Sequence, residues 1–168
     1  MTSRPSRATT TLAAAAALGI MPATTASAAQ DAERHQPRIV TDWACAWNGT
    51  DSQALGALFT ADGTYTDLGV GVTFHGRQEI AGWKARADSL IDNVHVTVRA
   101  AHRDGERITV EAVYAGHLKG APKPFAVPMT TLLDLDDRGR ITSDQDHYSL
   151  ATVLTQSGLP ADWTPPTH

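Results

Sequence analysis

Two aspartates two residues apart near the C-terminal end, Asp144 and Asp146, have the type and spacing to do chemistry. On a strand they point the same way, about 7 Å apart. Each charge disfavours the other, so both carboxyls hold their protons more tightly, above all in a half-dry pocket. A carboxyl tuned toward neutral pH serves as a general acid or base. The segment Arg140 to Tyr148 reads as a strand with Thr142, Asp144, Asp146 and Tyr148 on one face. Ile141, Ser143, Gln145 and His147 occupy the other. Neither face is apolar, whereas a strand inside a sheet should bury at least one apolar face. Either one side lines a polar cavity, or this is an edge strand wetted on both sides. A third carboxylate, Asp67, ends the predicted strand Thr64 to Leu68 that also carries Tyr65. It either joins the same chemistry or ties down the Gly-rich loop Gly69 to Gly71.

The elements that must position these groups follow from periodicity. Ile39 to Asn48 reads as a first helix with Ile39, Val40, Trp43 and Trp47 on one face. Asp51 or Thr50 caps a second helix. Leu55, Leu58 and Phe59 give that helix an apolar side, and Asp62-Gly63 supplies the turn that ends it. Arg77 to Ile91 reads as a third helix with Ile80, Trp83, Ala87, Leu90 and Ile91 buried. The period then switches to two. Val94, Val96 and Val98 mark one strand, Asp104-Gly105 a hairpin, and Ile108, Val110, Ala112 and Tyr114 the next strand. Phe125 to Leu135 is a long strand with Pro128 inside it, which requires a bulge or a locally unpaired edge. Ser149 caps a closing helix with Leu150, Val153 and Leu154. Helices followed by an antiparallel meander give an α+β class. Trp43, Trp47 and Trp83 belong to the core and to the wall of any pocket, with Tyr65 and Tyr148 beside the carboxylates.

The N-terminus reads as a secretory signal. Arg4 and Arg7 form a basic start, Leu12 to Met21 is apolar but too short to span a bilayer, and Ala26-Ser27-Ala28 fits the cleavage rule. The expected division is a signal peptide over 1–29, one domain over 38–158 and a loose tail over 159–168. The expected location is secreted or extracytoplasmic, with no membrane contact after cleavage. The 168-residue chain carries 14 Lys and Arg against 18 Asp and Glu, a net charge of −4. Without the two leader arginines the balance is 12 against 18, or −6. Such an acidic domain is a poor partner for nucleic acid or anionic membrane. The single cysteine, Cys45, cannot close an internal disulfide and falls opposite the apolar face of its helix. The histidines are scattered and none pairs at helical i, i+4 spacing, so neither a metal nor a cofactor is expected.

Several motifs together resemble one family. They are ALGALFTADGTYTDLG over 54–69, His75-Gly76 through Trp83, Gly139-Arg140-Ile141 followed by Asp146, and LATVLTQSG over 150–158. This pattern, across most of residues 38–158, is similar to the SnoaL-like group of polyketide cyclases within the NTF2-like superfamily. The resemblance implies a cone in which a curved antiparallel sheet wraps around the N-terminal helices and leaves an internal pocket. It implies Asp146 as general acid/base, with Asp67 or Asp144 assisting, acting on a small apolar molecule in a homodimer. Non-catalytic binding proteins use the same fold, so a ligand-binding domain is the alternative. The Asp67 segment also resembles that of ketosteroid isomerase. However, Trp43 and Thr131 fall near the positions of that enzyme's oxyanion-hole Tyr and acid, which counts against steroid isomerisation. Limonene epoxide hydrolase pairs the late aspartate with an Arg-x-Asp, and none occurs between Val94 and Leu135.

Overall fold

A computed structural model describes residues 36–164. The expected signal peptide lies outside the described residues. Helix α1 (Arg38–Asn48) turns Val40, Trp43, Ala46 and Trp47 inward. Helix α2 (Ser52–Ala57) is capped by the Asp51 side chain, which accepts from the Gln53 N–H. The strands are β1 (Phe59–Asp67), β2 (Val72–His75), β3 (Ile91–Asp104), β4 (Arg107–Leu118), β5 (Phe125–Leu135) and β6 (Ile141–His147). Helix α3 (Gly76–Leu90) lies between β2 and β3, and α4 (Leu150–Ser157) follows β6. The Ser149 side chain accepts from the Thr152 N–H and starts α4, and Gly158, at φ 74°, ends it.

The six strands form one sheet in the order β2-β1-β6-β5-β4-β3. Every neighbouring pair is antiparallel except β1 and β6, which run parallel. A parallel pair needs a long crossover, and here nearly the whole domain supplies it. The curved sheet, with helices packed on it, is the α+β NTF2-like architecture expected from the motifs.

Two local readings need correction. Asp62-Gly63 is not a turn but part of β1, whose register against β6 shifts between Phe59 and Thr64. A glycine suits that irregularity, since a Cβ on Gly63 would lie 3.1 Å from both the Ile141 carbonyl and the Phe59 ring. Val72–His75, which the sequence reading left without an element, pairs with β1 as a short edge strand. Pro128 behaves as expected. β6 pairs with β5 only as far as Thr130, so Pro128 has β4 on one side and no strand on the other. The Ala126 N–H, on that free side, bonds the Gln156 side chain of α4 instead.

The main core joins α1, α2, α3 and the concave sheet face around Trp43, Leu55, Phe59, Ile80, Ile108 and Leu133. A second cluster seats Val153 and Leu154 of α4 against Leu118, Phe125 and Val127, with Leu159 and Trp163 of the following segment packed on it. Lys84 is fully buried on the inner side of α3. Its ammonium donates to Asp88 at 2.7 Å and to the Gly49 carbonyl at 2.9 Å, and lies 5.9 Å from the Trp47 ring centroid. The buried charge is therefore fully paired, as burial demands.

Candidate functional site

The parallel register of β1 on β6 sets Tyr65 beside Asp144 and Asp67 beside Asp146. All three aspartates, drawn from two adjacent strands, come together on the inner face and are buried. This resolves the two-sided polarity of β6: the Asp144 and Asp146 side faces inward, and His147 is exposed. On the other flank, β5 places Thr131 opposite Asp146.

The hydroxyl donors reach across strands. Tyr65 Oη donates to Asp146 Oδ2 at 2.6 Å, and the Thr131 hydroxyl donates to Asp146 Oδ1. Tyr148 Oη donates to Asp67 Oδ2 at 2.9 Å, and the Val70 N–H donates to Asp67 Oδ1 at 2.8 Å. Trp43 Nε1 donates to Asp144 Oδ2 at 2.8 Å, while Asp144 Oδ1 is buried with no partner. Among the described residues, no Lys, Arg or His forms an ion pair with any of the three.

Without a counter-charge, burial decides the proton affinities. It pushes the Asp146 carboxyl up to about 6, against the Thr131 and Tyr65 hydroxyls that favour the anion. Burial, then the Asp146 charge, holds the Asp144 carboxyl well above the usual range. Asp67 is raised by burial, partly offset by the Val70 N–H and the Tyr148 hydroxyl. Burial also raises Tyr65, Tyr114 and Tyr148, so their hydroxyls stay protonated donors at neutral pH.

Asp67 and Asp146 form the polar part of the wall of a cavity of about 440 Å³ between the sheet and the helices. The rest of the wall is chiefly apolar and aromatic. Phe74 stacks on Trp83 with centroids 4.9 Å apart, and Tyr114 meets Tyr148 edge-on at 5.4 Å. Trp47, Phe125 and Trp163 complete the aromatic lining, and Arg86 also contributes to the wall. The volume and the few convergent polar groups suit a small, flat organic molecule.

Of the pocket residues read from sequence, Tyr65, Trp83 and Tyr148 line the cavity. Trp43 does not. It is fully buried beneath the cavity with its indole N–H committed to Asp144, and Trp47, four residues later, supplies the wall. Asp144, two residues along β6 from Asp146, likewise takes no part in the wall. The sequence reading missed Thr131 as a partner of Asp146, and Phe74 because it recognised no strand at β2. Tyr114 was legible, since it alternates in phase with the buried Ile108, Val110 and Ala112.

The SnoaL-like domain family matches residues 40–143. A hypothetical protein with ketosteroid isomerase-like fold from Catenulispora acidiphila DSM 44928, solved in complex with trimethylamine, is 63% identical. That match covers 77% of this chain and 99% of the relative, with a TM-score of 0.76. A putative SnoaL-like polyketide cyclase from Shewanella putrefaciens CN-32 is similar in fold, at 18% identity and TM-score 0.65, covering 74% of this chain and 98% of the other. An M. tuberculosis LEH-like epoxide hydrolase also shares the fold, at 20% identity and TM-score 0.60, with coverage of 71% and 86%. A comparison with curated proteins finds no match. With the family pattern spanning most of the domain and the cone-shaped sheet built as that pattern requires, the chain belongs to the SnoaL-like domain family and has the NTF2-like fold.

Proposed function

We propose that the protein is exported and moves a proton on a small apolar carbonyl compound held in the cavity. Asp146 is the acid/base and Asp67 assists. One observation carries this reading: a carboxyl held at about 6 forms part of the wall of an otherwise aromatic cavity. Near neutral pH both of its protonation states are populated, as an acid/base that works in both directions requires. The Asp146 carboxylate takes a proton from the carbon next to the carbonyl, and the C–H electron pair moves into an enolate. The same carboxyl then returns the proton to carbon. Tyr65 and Thr131 hold the carboxylate in place through both steps. Epoxide hydrolysis by an Arg-supported aspartate is disfavoured, because hydroxyls rather than a guanidinium flank Asp146.

A second reading is binding without turnover, with a small organic ammonium ion as ligand. Aromatic faces and carboxylates together attract such cations, and the Catenulispora acidiphila relative in complex with trimethylamine supports it. Two measurements separate the readings. Cyclic ketones are incubated with the protein in D₂O, and exchange at the α-carbon is followed by NMR. Trimethylammonium is titrated against the fluorescence of the cavity tryptophans. Faster exchange with the wild type, lost in Asp146→Asn, is the expected result. No acceleration with any ketone, alongside trimethylammonium binding that Asp146→Asn weakens, would overturn the acid/base reading and leave the binding one.

A further inference from the structure

Asp144 is the group in the site that the chemistry above leaves without a task. It is fully buried two residues along β6 from Asp146, and it receives a single hydrogen bond, from Trp43 to Oδ2. Its Oδ1 has neither a donor nor solvent. A carboxylate in that position would be a buried anion with half its charge unanswered, which burial penalises strongly. A neutral acid avoids that penalty, and its proton has the Asp146 carboxylate within reach as an acceptor. The groups that face it do not reverse the comparison. They are Asp146 on β6, Tyr65 and Asp67 on β1 and Trp43 on α1, with the apolar Leu133 opposite on β5, and none carries a positive charge.

We propose that Asp144 is a permanently protonated carboxylic acid, a positioning residue that keeps the carboxyl pair to one negative charge and leaves Asp146 as its only exchanging member. Its Oδ2 accepts from Trp43, and Oδ1 carries the proton. Asp146, with two hydroxyl donors, takes the charge. Were Asp144 ionised, its charge would hold the proton on Asp146 and dull it as a base. Trp43 acts through this bond, which explains why a residue outside the cavity wall belongs to the site. The proposal rests on the acid/base reading of the same site, but its test needs no substrate.

The test is carboxyl ¹³C NMR on the full chain labelled at Asp, from pH 4 to 9, with assignments from Asp144→Asn and Asp146→Asn. The Asp144 resonance is expected to keep the position of a neutral acid past pH 7, while Asp146 titrates near 6. Asp144→Asn mimics the neutral acid and should leave the Asp146 midpoint in place. A carboxylate resonance for Asp144 at pH 7 overturns the proposal. So does a fall of about one unit or more in the Asp146 midpoint in Asp144→Asn, since a unit is the effect of removing a real charge. If Asp144→Asn fails to fold, the protonated-carboxyl infrared band of Asp67→Asn at pH 8, where Asp146 has lost its proton, decides alone: present supports the proposal, absent overturns it. Failure of the ketone exchange above would leave these spectra unchanged, so the two readings fail separately.

Discussion

At the scale of single residues, Asp146 and His147 provide the sharpest contrast. They are neighbours in sequence and opposites in environment, one buried against the cavity and the other exposed. Asp146→Asn should keep the fold and lower turnover by roughly 10²–10⁴-fold, the usual contribution of a general acid/base, and His147→Gln should change it little. The reverse ranking in steady-state kinetics would show that the strand faces the other way. The same carboxyl carries a stability signature. Its proton affinity is higher in the folded than in the unfolded chain, so its contribution is full below about pH 4 and is lost as pH rises through about 6. The loss is on the order of 2–3 kcal/mol. Denaturant melts of wild type and Asp146→Asn at several pH values check this. The variant should gain on the wild type between about pH 4 and 6, and the difference should stay constant above. A constant difference across that range would mean that Asp146 titrates as an ordinary surface carboxyl.

At the scale of elements, the loop after β1 and helix α3 make opposite demands on glycine. The Gly69 Cα sits against Tyr148, and an added Cβ would lie 2.5 Å from that ring. Gly69→Ala should therefore push Tyr148 off Asp67, weaken ligand binding, and destabilise by about 1–3 kcal/mol, the range for overpacking. On α3, a Cβ at Gly82 meets nothing within 4 Å. Gly82→Ala should stabilise by roughly 0.5–1 kcal/mol through helix propensity alone and leave the site untouched. Thermal melts of the two variants, with the ligand fluorescence titration, test both. Equal melting shifts of the same sign would contradict the packing described here.

At the scale of the whole molecule, β6 returns to pair in parallel with β1 and brings the two carboxylate-bearing strands side by side at the cavity. A ligand bound in that cavity should raise the melting temperature of the domain by mass action. Two expectations belong to this scale. Light scattering at micromolar concentration should give the mass of a dimer, which NTF2-like sheets often form. Secreted protein should begin near Ala29 or Gln30 on N-terminal sequencing. A monomer mass, or residues preceding Ala26, would remove the respective claim.

The sequence by itself determined what depends on local periodicity and capping. The faces of α1 and α3, the caps at Asp51 and Ser149, the Asp104-Gly105 hairpin and the full span of β5 were all legible. So was the anomaly of β6, because alternation puts Asp144 and Asp146 on one face whatever surrounds them. What the alternation left open was which face turns inward. Only the tertiary structure decided that, through pairing with β1, a strand some 80 residues earlier, and no local pattern encodes such a register. The same long-range contacts separated Trp43 from Trp47. Both lie on the buried side of α1, but only the position of Asp144 drew the Trp43 indole beneath the cavity. The burial of Lys84 was also invisible locally, since its partners, Asp88 and the end of α1, come together only once α3 packs. Short β2 escaped notice because a four-residue edge strand has too few alternations to stand out from a loop.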